Sequence, residues 1–210
     1  QHITGTAAFR SLELSVGPGV FVPRPETEQV VQYAIDYLRQ LPTPGVAIDL
    51  GTGSGAIAIA MAKEVPQAKV FAVELSESAH TYAAKNIAAN GVSVELRLGA
   101  MQEVVSDLVG SLDVVISNPP YIPNSAIPID PEVRNYDPEL ALYGGEDGLD
   151  VIRDISGIAA ALLRPGGLLV LEHADGQSDD IRELLLTDGW LNVSAFQDAT
   201  MRYRTITAIR

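Results

Sequence analysis

Short apolar, β-branched runs alternate with helix-period segments along most of this chain. Val46–Leu50 (V-A-I-D-L) predicts a buried strand, and Gly55–Val65 a helix that follows a glycine turn. Lys69–Leu75 predicts a second strand and Glu77–Asn90 an Ala-rich helix, with Gly91 at its stop position. Ser93–Leu98 and Asp113–Ser117 predict two further strands, followed by a helix over Leu149–Leu163 that Arg164-Pro165-Gly166-Gly167 closes. Leu168–Glu172 continues as a strand and Ser178–Thr187 as a helix; Leu191–Gln197 and Thr205–Ile209 predict a closing antiparallel pair. The alternation implies right-handed crossovers, hence an α/β fold whose largely parallel sheet carries helices on both faces.

Two regions break the rhythm. Residues 1–45 predict a hairpin (Phe9–Val16 with Val20–Val22) and a helix from about Glu26 to Gln40, an extension that Pro42 and Pro44 separate from a main domain over residues 46–210. Ile122–Gly148 carries Pro123, Pro128, Pro131 and Pro138, is the most acidic stretch, and contains no convincing element. A connection of that length predicts an active-site cover lying in solvent.

Composition narrows the function classes. Hydrophobic residues make up 47% of 210, enough for a substantial core. The formal charge is −13, from 27 acids against 14 scattered bases, so no basic stripe awaits a phosphate backbone. Cysteine is absent, which removes disulfides and Cys-based zinc sites and fits a reducing cytoplasm. The longest apolar runs, such as Ala56–Ala62, are too short to span a bilayer, and Gln1-His2-Ile3-Thr4-Gly5 has no signal-peptide pattern. The first residue is not Met, and a natural N-terminus further upstream is expected.

Asp49-Leu50-Gly51-Thr52-Gly53-Ser54-Gly55 lies between a predicted strand and helix. Glycines there permit a tight turn, and the free N–H groups of the next helix face whatever binds. Counted as Gly51, Gly53 and Ala56, the segment matches a dinucleotide G-x-G-x-x-A fingerprint, and Glu74 sits where an acid holds ribose hydroxyls. The glycines alone do not separate a nicotinamide dinucleotide from S-adenosylmethionine. Asp49 is an awkward neighbour for pyrophosphate and suits a ligand with an ammonium and a sulfonium; capping of the glycine loop is an equally good role for it.

Asn118-Pro119-Pro120-Tyr121 cannot extend the strand Asp113–Ser117, because two prolines remove two ladder donors in succession. It predicts a stiff corner at the strand's C-terminal end, where open α/β sheets place ligands. Such a corner offers two acceptors, the Asn118 side-chain carbonyl and the Pro119 main-chain carbonyl, which suit a planar NH₂ group with two N–H donors. Gripping both hydrogens aims the nitrogen lone pair at a methyl sulfonium and stabilises charge that grows on nitrogen during transfer. Tyr121 offers a ring face to the planar group.

At these residues the chain resembles class I S-adenosylmethionine-dependent methyltransferases that act on planar NH₂ groups, and more closely the glutamine methyltransferases of class 1 peptide-chain release factors. The narrower likeness rests on Phe21-Val22-Pro23-Arg24-Pro25-Glu26-Thr27-Glu28, Asn118-Pro119-Pro120-Tyr121-Ile122-Pro123, Tyr136-Asp137-Pro138-Glu139-Leu140-Ala141-Leu142 and Gly144-Gly145-Glu146-Asp147-Gly148-Leu149. The resemblance implies a Rossmann-like seven-stranded sheet and methylation of the glutamine side-chain amide in the release factor's Gly-Gly-Gln loop. It implies that S-adenosylmethionine, leaving as S-adenosylhomocysteine, is held by Asp49, Gly51, Thr52, Gly53, Ser54, Gly55, Glu74, Leu75, Met101 and Asn118. Asn118, Pro119, Pro120 and Tyr121 would form the catalytic and substrate pocket, with Arg24 as a further substrate contact. The family often has an acid after the third strand, where Gly99-Ala100-Met101 stands here. The family also carries an N-terminal helical domain for docking the release factor, which is expected to lie upstream of Gln1.

Other residues read more plainly. His2, His80 and His173 share no ligand spacing and are expected at the surface or at sheet ends, and no metal site is expected. Glu146, Asp147 and Asp150 fit a solvated cover with a helix start rather than a cation loop. Trp190 is expected as an edge-packing anchor. A cytoplasmic monomer that binds neither membrane nor nucleic acid is the expectation; the rival function is methylation of an exocyclic base amine after base flipping, which the charge opposes.

Overall fold

The computed structural model describes residues 4–127 and 131–210, so Gln1, His2 and Pro128 lie outside the described residues. A hairpin of β1 (Thr6–Phe9) and β2 (Leu12–Ser15) precedes α1 (Thr27–Gln40). Then come β3 (Val46–Leu50), α2 (Ala56–Glu64), β4 (Lys69–Glu74), α3 (Glu77–Asn90), β5 (Val94–Leu98), the short α4 (Met101–Val104) and β6 (Leu112–Ser117). The remainder is α5 (Pro131–Tyr136), α6 (Asp150–Leu162), β7 (Leu163–Glu172), α7 (Ser178–Thr187), β8 (Leu191–Gln197) and β9 (Tyr203–Ile209).

Seven strands form one sheet in the order β5-β4-β3-β6-β7-β9-β8. β5, β4, β3, β6 and β7 run parallel, and β9 is antiparallel to both β7 and β8, so the predicted closing pair is present. The crossovers proceed outward from β3 in one direction and from β6 in the other. The C-terminal ends of these two neighbours therefore form the switch point at which open α/β sheets bind ligands.

One face of the sheet is covered by α1, α2 and the hairpin, through Phe9, Leu14, Val31, Ile35, Ile59 and Met61. The other is covered by α6 and α7, through Ile152, Ile155, Leu162, Ile181 and Leu185. Helix α2 is apolar on every side and buried on every side from Ala56 to Ala62. The hairpin and α1 share a core with β3, β4 and β6.

Two expectations need correction. The hairpin pairs Thr6–Phe9 with Leu12–Ser15, and Val20–Val22 is not a strand. The turn forms at Arg10-Ser11 because Arg10 is held at φ 51 by its partners: its N–H donates to Glu28 Oε1 (2.9 Å), and its guanidinium reaches Glu28 O, Gln32 and Glu64. Val20 and Val22 instead bury themselves with Ala7, Val16 and Ala79.

The segment 122–148 does not lie wholly in solvent. It contains α5 and a 3₁₀ turn at Glu139–Ala141, and Asp137, Leu142, Gly144 and Gly148 are buried. Backbone bonds Ile122 N–H to Leu142 O, Gly144 N–H to Ile122 O and Asn124 N–H to Gly145 O fold it against the corner that precedes it. His173 lies at a sheet end, as expected, directly after β7; it is fully buried there, and burial holds its imidazole below the ordinary range. Trp190 is buried as an anchor, donating from Nε1 to Ser156 Oγ at 2.9 Å.

Candidate functional site

A cavity of about 710 Å³ opens over the C-terminal ends of β3, β4 and β6. Its floor is the turn after β3. Gly51 and Gly53 have φ of 75° and 58°, and a Cβ built on either meets nothing within 4 Å. Both conformations favour glycine, and both leave backbone open to a ligand. The turn is tied down from below. The N–H groups of Gly51 and Thr52 donate to Val73 O at 2.9 Å each, and Gly53 N–H donates to Glu74 Oε2 at 2.7 Å. Buried Asn86 donates to the carbonyls of both Ser54 and Ser15, joining the turn to the hairpin.

Glu74 faces the cavity from the end of β4, its Oε1 accepting from Ser76 N–H at 2.8 Å. An ionised carboxylate has about four lone-pair positions, so acceptor capacity remains for two ligand hydroxyls. Leu75 and Met101 line the wall beyond it, with Gly99 and Ala100 contributing the strip where the family often has an acid. Open glycine backbone, a spare carboxylate and apolar walls together fit a nucleoside-bearing cofactor.

Asp49, Gly55 and Pro119 are buried beside the cavity and are not among its lining residues. Asp49 is fully buried and accepts the Thr52 hydroxyl at 2.5 Å. Burial pushes its carboxyl up to about 7, against the pull of Thr52 and the Ala58 N–H in the first turn of α2. Asp49 Oδ2 thus holds the turn through Thr52, while its Oδ1 is buried with no hydrogen-bond partner among the described residues.

The opposite wall is the Asn118–Tyr121 corner. Asn118, Pro120 and Tyr121 line the cavity. The corner is clamped on its outer side. A Cβ at Gly144 would lie 2.5 Å from Pro120 O, and one at Gly148 would lie 2.4 Å from Tyr121 O. Gln177 Nε2 donates to Tyr121 O at 3.0 Å while its Oε1 accepts from Ala174 N–H at 2.9 Å. Among the described residues no protein donor takes Asn118 Oδ1 or the Pro119 carbonyl. These are the two acceptors expected from the sequence. Burial and the nearby Glu172 raise the Tyr121 phenol, which therefore stays neutral.

Residues 19–27 close the cavity from a third side. Arg24 lines it, lies 4.9 Å over the Phe21 ring, and pairs with the buried Asp137 at 2.5 Å. That pair ties the Pro-Arg-Pro-Glu-Thr-Glu block to the Tyr-Asp-Pro-Glu block across the mouth. Glu26, Thr27 and Arg204 complete the wall, and Glu172 is buried behind it. Sequence reasoning gave no role to Glu172, Gln177 or Arg204, and included Thr27 only within the Pro-Arg-Pro-Glu-Thr-Glu block. The available signal was a glutamate closing an otherwise apolar strand, Leu168–Glu172. Glu146, Asp147 and Asp150 lie exposed, with Asp147 and Asp150 paired to Arg153. Among the described residues no three His, Cys, Asp or Glu side chains gather as a metal site, and no helix is long and apolar enough to cross a membrane.

Comparison with known proteins agrees with this geometry. The methyltransferase small domain family matches residues 13–130. The release factor glutamine methyltransferase of Streptomyces coelicolor is 51% identical over 99% of this chain and 74% of its own length. That of Mycolicibacterium smegmatis is 47% identical over 100% and 74% respectively. Among solved structures, the release-factor-specific protein-(glutamine-N5) methyltransferase of Alicyclobacillus acidocaldarius superposes with a TM-score of 0.58 and 28% identity, covering 93% of this chain and 98% of that one. On identity of this extent along the whole sequence, the chain belongs to the release factor glutamine methyltransferase family.

Proposed function

We propose that this chain transfers a methyl group from S-adenosylmethionine to the side-chain amide nitrogen of the glutamine in the Gly-Gly-Gln motif of class 1 peptide-chain release factors. The observation that carries the reading is Asn118, whose Oδ1 no protein donor takes among the described residues, on a clamped corner that lines a glycine-floored cavity, with the untaken Pro119 carbonyl next to it. The names of the relatives point to the same substrate.

The bound cofactor supplies an electrophilic methyl on a sulfonium. The chain's residues do the rest. Gly51 and Gly53 let the backbone approach the cofactor, Glu74 accepts ribose hydroxyls, and Leu75 and Met101 pack against the base. Asp49 and Gly55 shape the turn from beneath, with Thr52 and Ser54 fixed on it. Asn118 and Pro119 accept the two amide hydrogens, which turns the nitrogen lone pair toward the methyl and stabilises its developing positive charge. Pro120 keeps the corner rigid, and the neutral Tyr121 ring flanks the amide plane. Arg24 lines the substrate side.

No strong base is needed before transfer, since the proton leaves to water afterwards. In this reading residues 46–210 hold the cofactor and residues 1–45 build the substrate-side wall. The enzyme works as a cytoplasmic monomer on a protein partner, and the −13 charge opposes nucleic-acid binding.

The test is mass spectrometry of a full-length release factor after incubation with methyl-labelled cofactor. A single methyl on the Gly-Gly-Gln glutamine is expected. Label in nucleobases, or on other residues only, overturns the reading.

A further inference from the structure

An asparagine amide is nearly symmetric in shape, so the side that faces a substrate is decided by its partners. For Asn118 the oxygen must face the cavity, yet Thr27, its neighbour, has a hydroxyl that donates or accepts equally well. Something must fix the direction. Strand β7 pairs parallel to β6 with Leu171 opposite Ser117, so the next residue on each, Glu172 and Asn118, emerge side by side. Glu172 is only 1% exposed, and its Oε2 has no hydrogen-bond partner among the described residues. Asn118 Nδ2 points toward Thr27 Oγ1 at 3.4 Å, and both side chains act on the Glu172 carboxyl, favouring its ionised form.

We infer that Glu172 is a positioning residue which sets the direction of the hydrogen-bond chain Asn118–Thr27–Glu172 and so turns Asn118 Oδ1 toward the substrate amide. The inference rests on the proposed amide methylation. An ionised carboxylate only accepts. Thr27 must then spend its hydroxyl proton on Glu172, which leaves its oxygen to accept from the Asn118 NH₂ group. Once Glu172 carries a proton it can donate to Thr27. The chain can then reverse, and the Asn118 amide flips its nitrogen toward the substrate. Two N–H groups would then face each other and transfer would fail.

The ionisable groups that face Glu172 are Glu26 before α1, Tyr121 on the corner and Arg204 on β9. Burial raises the Glu172 carboxyl to about 7, Glu26 adds to the rise, and Arg204, Thr27 and Asn118 oppose it. Methyl transfer should therefore fall as pH drops through about 7. Asp49 titrates in the same range, so the limb must be assigned by variants.

Wild type, Glu172→Gln and Asp49→Asn are compared on a full-length release factor, with cofactor affinity measured by calorimetry. In Glu172→Gln, kcat should fall about tenfold, part of the roughly 10²–10³ that losing an oriented polar group costs outright. Cofactor affinity and the KM for the release factor should stay near wild type. The acid limb should vanish in Glu172→Gln and persist in Asp49→Asn. Thr27→Val should repeat the kcat loss and Thr27→Ser should restore most of it, a pair that decides the matter should Glu172→Gln misfold. Wild-type kcat in Glu172→Gln, or in Thr27→Val, overturns the inference. A wild-type enzyme that leaves the glutamine unlabelled instead overturns the function on which it rests.

Discussion

The clamp on the outside of the corner makes Gly148 a sensitive position. Gly148 has φ 81°, and a Cβ there would lie 2.4 Å from Tyr121 O, 3.1 Å from Tyr121 C and 2.9 Å from Gln177 Nε2. Real Cβ contacts under 3.0 Å essentially do not occur, and the nearest atom is backbone that cannot swing aside. Opening that contact moves the corner by about 0.6 Å or breaks the Gln177 bond. For Gly148→Ala the left-handed φ costs about 1–2 kcal/mol and the overpacking about 1–3 kcal/mol, for a loss of about 2–5 kcal/mol. Against a typical total of about 5–15 kcal/mol, the variant should fold. Misplacement by a large fraction of an ångström at the reacting group should lower kcat by about 10–10²-fold.

Gly166→Ala is the matched control. Its φ is 84°, a Cβ there meets nothing within 4 Å, and it lies near the start of β7, far from the corner. It should lose about 1–2 kcal/mol in a urea melt and keep full activity. Melts, calorimetry with cofactor, and single-turnover transfer on both variants separate backbone strain from displacement of the corner. Wild-type turnover in Gly148→Ala, or an equal activity loss in both variants, would refute the reasoning.

Two other perturbations have signs fixed by the structure. Asp49 holds its proton up to about 7 when folded and to 3.8 when unfolded, so its contribution to stability is full below 3.8 and is lost as pH rises to about 7. Asp49→Asn should therefore be more stable than wild type at pH 8, by about 2–4 kcal/mol, with little difference at pH 4. Thermal melts across that range check it, and equal curves would contradict it. Glu172 adds a slope of the same sign between 4.5 and about 7 in both proteins, whereas the Asp147 carboxyl, held at about 2 by Arg153, acts only at lower pH. At the mouth, Arg24→Met removes the guanidinium that pairs with the buried Asp137 carboxylate and should cost about 2–3 kcal/mol. Adding Asp137→Asn should recover most of that, as a double-mutant cycle would show; additive losses would mean that the pair does not join the two blocks.

Much of this site was legible because its signals are local. The alternation of periods placed β3 to β7 in order, and two prolines after Ser117 forced a corner whatever the surroundings. Glycines with open Cβ positions, Gly51 and Gly53, are read directly from a strand–turn–helix context. What escaped is what depends on adjacency across the sheet. Glu172 and Gln177 acquire meaning only because β7 pairs beside β6, a neighbour distant in sequence. The hairpin turn at Arg10 was missed for a related reason: its positive φ is maintained by Glu28, Gln32 and Glu64, which lie elsewhere in the chain. Asp49 suits both ligand contact and loop capping in the sequence, and its burial beneath Thr52, with Oδ2 taken and Oδ1 unpartnered among the described residues, depends on packing that the sequence does not display. The cover over 122–148 looked solvated from its charge, but Asp137 is neutralised by Arg24 and buried.

The central claim, that Asn118 and the Pro119 carbonyl pin a carboxamide while the glycine turn holds the methyl donor, divides binding from chemistry. Single-turnover transfer and cofactor Kd measured together on Asn118→Ala test it most directly. The account predicts a transfer rate lower by about 10²-fold with Kd changed less than about threefold. A variant that transfers at the wild-type rate, or one that loses activity only because the cofactor no longer binds, would contradict it.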